Sequence, residues 1–267
     1  MRIAIIGGGP RGLGALEALA ALGLPCAVTV FEPHPAPGAG PVYDPAQTPL
    51  NLLNLPTRAV DLGGGALGRS FAAWLGPGFD PDDFPSRAAM GGYLAARFGA
   101  VAARLDAKVI AAAADALARD PLAGGWRVGA GGMMHGPFDA VALAIGHQPA
   151  QDDPQIAAWR AHARGRDGLT LVPAYPSEAL ADLVAQGGDR GGPREGVVAL
   201  RGFGLAALDA LRALTEGVGG AFSGEGWSVY RPSGREPRLA PFSRDGMPPA
   251  PKPADAEIDA MFDLDPA

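Results

Sequence analysis

The chain has 267 residues, a net charge of −6 at pH 7 and a sequence pI of about 5.2. The acidic balance and the absence of a basic run argue against nucleic acid and anionic membrane surfaces as partners. No apolar run reaches the length of a membrane span or a signal-peptide core, so we expect a soluble, cytoplasmic protein. With 48% hydrophobic residues, the chain can form one large domain or two small ones.

The first 32 residues follow the order of a dinucleotide-binding βαβ unit. The apolar run Arg2–Ile6 breaks into the glycine turn Gly7–Gly12, and the helical stretch Leu13–Leu22 follows at once. A second apolar run, Ala27–Phe31, ends on Glu32, twenty positions after the last glycine of the turn. The alternative is a glycine-rich turn in another kind of α/β protein, which does not explain the acid at this position.

The residues of this turn have distinct predicted roles. Gly7 permits the tight turn, Gly9 lets bare backbone approach a pyrophosphate, and Gly12 lets the helix pack closely on the strand. Glu32 would bind the adenosine ribose and repel a 2′-phosphate, so the site suits FAD or NAD rather than NADP. Arg11, at the mouth of the helix, either adds charge to the pyrophosphate or points to solvent. The predicted cofactor contacts of this first site are Gly7, Gly9, Pro10, Arg11, Gly12 and Glu32.

Cysteine and histidine usage limits the chemistry. Cys26 is the only cysteine of the chain, which excludes an intramolecular disulfide and the redox-active cysteine pair of dithiol-reducing flavoproteins. The four histidines have no metal-ligand spacing with one another or with Cys26, and we predict no metal site.

A long loop, Pro33–Arg58, is rich in proline, glycine and asparagine. A loop of this length in a compact domain is usually functional or disordered. Its apolar part, residues 50–56, should pack against a core and bring Asn51 and Asn54 near a ligand. The alternative is that both asparagines cap turns.

Two helices and a small β-meander are predicted next. The first helix is Ser70–Leu75, and the second begins at a capping Ser86 and reaches about Leu105. The predicted meander strands are Lys108–Ala118, Gly125–Gly129 and Met133–Phe138.

The apolar run Asp139–Gly146 is typical of a central parallel strand covered on both faces. Gly146 would let the end of this strand approach a cofactor. His147 is the predicted catalytic residue, because it would hydrogen-bond near a flavin; the alternative is a satisfied structural histidine. Four further elements are then expected: a helix at Pro154–Ala163, a strand at Leu169–Val172, a helix at Pro176–Ala185 and a hairpin or linker at Gly187–Gly196.

Val197–Leu200 starts the first pattern again. Gly202, Gly204 and Ala207 form G-x-G-x-x-A, whose third position tolerates alanine, and a helix to about Glu216 follows. We interpret these three residues as contacts of a second dinucleotide.

The strand predicted at Trp227–Tyr230 is followed by no acid. The next residues instead include Arg231, Ser233 and Arg235, two cations and a hydroxyl that suit a 2′-phosphate. This pattern predicts NADP(H) at the second site, and the alternative is a solvated surface turn.

The predicted fold class is therefore α/β, with two dinucleotide-binding parts. Residues 1–165 are expected to form a Rossmann-like FAD-binding domain with a small β-meander, and residues 166–244 a smaller NAD(P)-binding α/β unit. Residues 245–267 are rich in proline and acids, have little to bury, and are expected to be extended or poorly ordered.

Several blocks of the chain resemble the FAD/NAD(P)-binding flavoproteins related to the two-dinucleotide flavin monooxygenases. The resemblance covers nearly the whole chain. The matching blocks are Ile5–Leu13, Leu52–Asn54, Ala144–His147, Tyr175–Ser177, Asp209–Gly217 and Tyr230–Pro237.

The resemblance implies an FAD domain interrupted by a smaller NAD(P) domain. It also implies an activity in which NADPH reduces FAD and the reduced flavin meets oxygen, with an amine or amino-acid-like substrate in some members. Family members are usually much longer, and their C-terminal part completes the FAD domain, so this chain is expected to be a truncated or minimal relative.

Three functions remain open at this point. The first is an FAD-dependent oxidoreductase that uses NADPH and is monooxygenase-like. The second is a non-catalytic or truncated FAD/NAD(P)-binding module. The third is an NAD(P)-dependent reductase that uses only the first site.

Overall fold

The computed structural model describes residues 1–122, 124–148, 151, 153–187, 196–224 and 229–262. The chain divides into two compact units. Unit 1 comprises Met1–Ala46 and Leu55–Pro149, and unit 2 comprises Gln47–Asn54 and Ala150–Ala267. The predicted domains 1–165 and 166–244 are assigned by the ligand each would hold, and the predicted tail 245–267 by its composition, so this division does not test them.

Unit 1 is built on a parallel sheet of four strands, in the order β3-β2-β1-β7. Ile3 of β1 lies opposite Val28 of β2 on one side and Ala140 of β7 on the other. Its elements are β1 (Arg2–Ile6), α1 (Pro10–Leu22), β2 (Ala27–Phe31), α2 (Phe71–Leu75), α3 (Arg87–Arg104), β3 (Lys108–Ile110), β4 (Ala114–Arg119), β5 (Trp126–Ala130), β6 (Met133–Phe138) and β7 (Ala140–Leu143).

An antiparallel meander of β4, β5 and β6 covers one face of this sheet. Successive side chains of a strand point to opposite faces, so Ile3 and Ile5 are buried on the other face. On the face under the meander, the two sheets pack together through one buried cluster of Ala4, Ile6, Phe31, Val128, Ala130 and Phe138.

A buried ion pair joins α1 to α3. The Arg97 guanidinium forks onto Glu17, with Nη2 2.6 Å from Oε2 and Nε 2.9 Å from Oε1. Burial lowers the pKa of Arg97, but the hydrogen bond and the charge of Glu17 outweigh it, so this pKa is raised. The same guanidinium donates to the carbonyls of Leu62 and Gly63, which ties the loop before α2 to the helix pair.

Several predicted elements of unit 1 are confirmed. The Ser70 and Ser86 side chains accept hydrogen bonds from Ala73 N and Ala89 N and so cap α2 and α3. The meander is present, but the run Lys108–Ala118 was predicted as a single strand of it, and this is wrong. Its first residues form β3, which pairs parallel with β2, because the chain bends before β4 begins.

The prediction of a covered central strand at Asp139–Gly146 is also wrong. Only Ala140–Leu143 forms a strand, and within the described residues β1 is the only partner of this strand. Leu143 is 63% exposed. A continuous apolar run reports hydrophobicity and not the number of neighbouring strands, so an edge strand can carry the same pattern.

Unit 2 contains two small sheets and a helical core. Strand β8 pairs parallel with β11, and β9 pairs antiparallel with β10. Its elements are α4 (Pro154–Ala163), α5 (Glu178–Gly187), β8 (Val197–Arg201), α6 (Leu205–Leu214), β9 (Ala221–Ser223), β10 (Val229–Arg231), β11 (Arg238–Phe242) and α7 (Ala256–Ala260). Its core joins Leu180, Val184, Ala210, Ala213, Leu214 and Val218.

The elements predicted for unit 2 have mixed outcomes. Helix α4 begins where predicted, capped by the Asp153 carboxylate on Ile156 N. No strand forms at Leu169–Val172, because this short apolar run has no neighbouring strand to pair with in the described structure. Most of the predicted linker Gly187–Gly196, and Trp227 of the predicted strand, lie outside the described residues.

The architecture is a mixed α/β fold with a Rossmann-like parallel sheet and a smaller α/β unit, which confirms the predicted fold class. Among the described residues, no helix is long and apolar enough to cross a membrane.

Candidate functional site

The turn after β1 is one that only glycine can form at its first position. Gly7 has a φ of 96°, and its amide donates to the Phe31 carbonyl of β2 at 2.9 Å. A Cβ on Gly7 would lie 2.3 Å from the Ala144 carbonyl oxygen, at the end of β7. Backbone conformation and packing therefore both require glycine here.

Gly12 and Gly9 differ in what the fold demands of them. A Cβ on Gly12 would lie 2.1 Å from the Gly7 carbonyl oxygen, so α1 packs on the turn without room for a side chain. Gly9 has a φ of −65°, and the nearest atom to its Cβ position is Gly40 Cα at 3.9 Å. The fold does not require glycine at position 9, and the backbone there is open.

The carboxylate of Glu32 lies beside this turn. It is 7% exposed, its Oε2 accepts from Gly8 N at 2.6 Å, and its Oε1 accepts from His34 N at 2.7 Å. A carboxylate has about four lone-pair sites, so two backbone bonds leave further acceptor capacity. The carboxylate thus faces the glycine turn, and its role as a ribose contact remains a prediction.

Sequence reasoning missed a second glycine pair around the turn. The Gly38 amide donates to the Gly8 carbonyl at 2.7 Å, and Gly40 approaches Gly9. Gly38 has a φ of 97°, and a Cβ there would lie 2.4 Å from the Leu94 carbonyl oxygen. The G-A-G triplet was visible in the sequence, but only the fold brings it onto the first turn.

The other predicted contacts of unit 1 are exposed. Pro10 and Arg11 open α1, which has no side-chain cap. Gly146 has a φ of 66°, and His147 makes no hydrogen bond with the described residues. Both follow β7 and lie at the carboxyl edge of the sheet, where Ala144 N donates to Ile6 O at 2.7 Å.

The two asparagines of the long loop lie in the segment of unit 2. Asn51 is buried; its Oδ1 accepts from Ser177 Oγ and its Nδ2 donates to Gln47 Oε1, both at 3.0 Å. Asn51 therefore anchors the segment 47–54. Asn54 is exposed, and its role as a cofactor contact remains a prediction.

Unit 2 contains a turn of the same backbone shape after β8. Gly202 has a φ of 100°, and its amide donates to the Phe242 carbonyl of β11 at 2.7 Å. Gly204 is the N-cap of α6, with a φ of −76° and no side-chain cap. Ala207 follows on the buried side of α6, at 8% exposure.

The predicted phosphate contacts are Arg231, the last residue of β10, and Ser233 and Arg235 in the loop that follows it; all three are exposed. The Arg231 Nε donates to Ser223 Oγ at 2.6 Å, and Ser233 Oγ donates to the Val218 carbonyl at 3.0 Å. The Arg235 Nη2 lies against the Gly219 backbone, 2.1 Å from where a Cβ of that glycine would stand.

A carboxylate sits at the centre of this loop. Glu236 accepts from Tyr230 Oη at 2.6 Å, Ser233 N at 2.7 Å and Gly234 N at 2.8 Å. Burial raises the pKa of Glu236, but these bonds outweigh it and hold the pKa at about 2. Burial and the Glu236 carboxylate raise the pKa of Tyr230 to about 12.

The parallel sheet and the glycine turn define an α/β protein of the dinucleotide-binding class. Residues 4–148, more than half of the chain, match the family model described as FAD-NAD(P)-binding. The chain belongs to this family, which confirms the resemblance drawn from the sequence.

Two relatives match nearly the whole chain. Nitrosuccinic acid synthase npaA of Aspergillus oryzae is 35% identical over 92% of this chain and 40% of its own length. An L-aspartate N-monooxygenase (nitrosuccinate-forming) of Streptomyces davaonensis is 32% identical over 92% of this chain and 44% of its own. The chain therefore spans less than half the length of these relatives.

Among solved structures, the S-allyl-L-cysteine S-oxygenase of Allium sativum is 22% identical, with a TM-score of 0.40. The match covers 57% of this chain and 38% of that one. This likeness is too weak to bear on fold or function.

Proposed function

We propose that this chain binds FAD at the first glycine turn and NADP(H) at the second, as part of a flavin-dependent monooxygenase. The observation that carries the proposal is the Glu32 carboxylate, held 2.6 Å from the Gly8 amide beside the open backbone of Gly9. An acid in this place favours a ribose with free hydroxyls and repels a 2′-phosphate.

The first turn supports FAD through groups that the fold leaves available. Gly7 and Gly12 shape the turn, and Pro10 and Arg11 open a helix without a side-chain cap. The N–H groups of such a helix end, together with the positive end of its dipole, suit a pyrophosphate. Gly9 would allow the pyrophosphate to approach the backbone.

The second turn supports a second nucleotide by repeating that backbone. Gly202, Gly204 and Ala207 would hold its pyrophosphate. The sequence predicts Arg231, Ser233 and Arg235 as contacts for a 2′-phosphate, and NADPH is the proposed reductant.

FAD, when bound, supplies a ring that accepts a hydride from a nicotinamide and then reacts with oxygen. The residues proposed near this ring in unit 1 are Gly146, whose positive φ turns the chain after β7, and His147. Since His147 is exposed and has no hydrogen bond to the described residues, its ring nitrogens can bond a cofactor or substrate. Asn54 is proposed as a further cofactor contact.

The relatives supply the proposed substrate class. One is named nitrosuccinic acid synthase and another L-aspartate N-monooxygenase. We therefore propose a small amino-acid-like molecule with a free amine as substrate. The activity is proposed for the whole protein, because the matched region is 40–44% of these relatives.

The absorption spectrum of the purified full chain tests the proposal. We expect flavin bands that bleach when NADPH is added without oxygen and return when air is admitted. A colourless protein that takes up no added FAD contradicts the first site. Bound FAD that NADPH does not bleach favours a binding module, and a colourless protein that binds a nicotinamide dinucleotide favours a simple reductase.

A further inference from the structure

The strand that neighbours each glycine turn identifies the residue beside the bound ribose. In unit 1, Ile6 lies opposite Phe31, so one step further along Gly7 lies beside Glu32. In unit 2, Arg201 lies opposite Phe242, so by the same register Gly202 lies beside Ser243. Matching hydrogen bonds fix both turns, from Gly7 N to Phe31 O and from Gly202 N to Phe242 O.

The strand that ends in Arg231 has a different place in the sheet. Strand β10 pairs antiparallel with β9, and neither is the neighbour of β8 in the described structure. Chain order suggests that the residues after β10 correspond to Glu32. The register instead gives that position to the residues after β11.

The chain after β11 forms a tight polar turn, residues 243–246. Ser243 Oγ accepts from Gly246 N and donates to Asp245 Oδ1, both at 2.9 Å. Asp245 Oδ1 also accepts from Met247 N at 3.2 Å, so this carboxylate is bonded back onto its own turn. Arg244 is exposed and makes no hydrogen bond or ion pair with any residue described here.

The loop after β10 is poorly prepared for a further anion. Its Ser233 and Gly234 amides already donate to the Glu236 carboxylate. These two bonds leave neither amide free to donate to a phosphate. Arg231 is bonded to Ser223, whereas Arg244 has no such competing contact.

Resting on the proposed second nucleotide site, we infer that the turn Ser243–Gly246 binds its adenosine ribose and that Arg244 binds the 2′-phosphate. Ser243, which carries no charge, takes the position of Glu32, and the nearby Asp245 carboxylate is bonded to Ser243 Oγ and Met247 N within its own turn. Arg244, the next residue, supplies the positive charge. The cofactor preference of the second site is thus set after β11.

The test measures binding of 2′,5′-ADP and 5′-ADP to the full chain by calorimetry, in wild type and in charge-reversed variants. Arg244→Glu should weaken 2′,5′-ADP roughly 10- to 100-fold, the range for a lost charge-assisted hydrogen bond, with little change for 5′-ADP. Arg238→Glu, at the opposite end of the same strand, is the matched control and should leave both affinities unchanged. Arg231→Glu and Arg235→Glu should change 2′,5′-ADP binding much less than Arg244→Glu does.

Three results would overturn the inference. If Arg231→Glu or Arg235→Glu strongly weakens 2′,5′-ADP binding and Arg244→Glu binds it like wild type, the 2′-phosphate lies at the end of β10 and the loop that follows. Equal losses of both ligands in Arg244→Glu mean that this arginine does not read the 2′-phosphate. If wild type binds neither ligand, the proposed second nucleotide site itself fails, and this inference fails with it.

Discussion

The two glycine turns share a backbone but differ in their surroundings. Gly7 and Gly202 have φ angles of 96° and 100°, and each donates to the last carbonyl of a parallel neighbour. A Cβ on Gly7 would strike the chain after β7, whereas no described atom lies within 4 Å of that position on Gly202. Packing and φ both require the first glycine, while the second is required by its φ alone.

The middle glycines carry more information about ligands. Gly9 and Gly204 have negative φ angles of −65° and −76°, and neither has a described atom closer than 3.9 Å to its Cβ position. Each is a helix N-cap, where serine or aspartate would cap better. The fold requires glycine at neither position, whereas close approach of the proposed pyrophosphate would require it at both.

The largest expected effect tests the role of the middle glycine of the first turn in ligand binding. Gly9→Val should reduce FAD affinity about 100-fold or more, because the side chain blocks the backbone donors from the pyrophosphate. The fold should persist, since the site has room and an ordinary φ. Titration of the apoprotein with FAD measures the loss.

Gly14→Val is the matched control for this variant. Gly14 is exposed on the same helix, has no atom within 4 Å of its Cβ position and is not a predicted contact. Its FAD affinity should equal that of wild type. Wild-type affinity in Gly9→Val would refute the placement of the pyrophosphate.

The next effect concerns the third position of each turn. Gly12→Ala should lower the free energy of unfolding by about 1–3 kcal/mol, because the new Cβ overlaps the Gly7 carbonyl. The reverse change in the second turn, Ala207→Gly, should cost only about 1 kcal/mol, the helix-propensity difference. Urea unfolding measures both. A smaller loss in Gly12→Ala than in Ala207→Gly would contradict the close packing of α1.

A moderate effect is expected from Glu32. Glu32→Gln keeps the shape of the side chain but replaces one of its two acceptor oxygens by an NH₂ donor. The new side chain therefore cannot accept from Gly8 N and His34 N through two separate oxygens, as Glu32 does. FAD affinity should fall about tenfold, since one charge-assisted bond is worth about 1.5 kcal/mol. Glu257→Gln, an exposed change on α7, is the control. Unchanged FAD binding in Glu32→Gln would show that the Glu32 carboxylate does not contribute to FAD binding.

The smallest effect contrasts Glu32 with the carboxylate of the other unit. Because the folded-state pKa of Glu236 is about 2, below its usual 4.5, its contribution to stability is present above pH 4.5 and is lost as pH falls towards 2. Glu236→Gln should flatten this part of the pH dependence in urea unfolding, and Glu257→Gln should not. If the free energy of unfolding falls equally between pH 4.5 and 2 in Glu236→Gln and wild type, groups other than Glu236 cause that loss of stability.

The first turn was predictable because its parts are close in sequence. Strand, glycine turn, helix and Glu32 occupy the first 32 residues, and each has a local pattern. The cap of α3 was also visible, since Ser86 accepts from the Ala89 amide three residues further along.

The features that escaped prediction depend on distant pairing. Strand β7 is at the sheet edge because of what lies beside it, and no local pattern reports that. Ser177 and Asn51, 126 positions apart, meet through the fold alone. Likewise, β8 pairs with β11 across an intervening helix and hairpin, so counting along the chain leads to Arg231 rather than Ser243.

The segment Gln47–Asn54 belongs to unit 2, although the chain on both sides of it belongs to unit 1. It supplies the acceptor for the fully buried Ser177 hydroxyl, and its Thr48 amide donates to Glu178. Cutting the polypeptide once, near residue 150, would leave the buried Ser177 hydroxyl of the C-terminal fragment without its acceptor. Anyone dissecting this protein would have to splice these eight residues onto that fragment to obtain an intact second half.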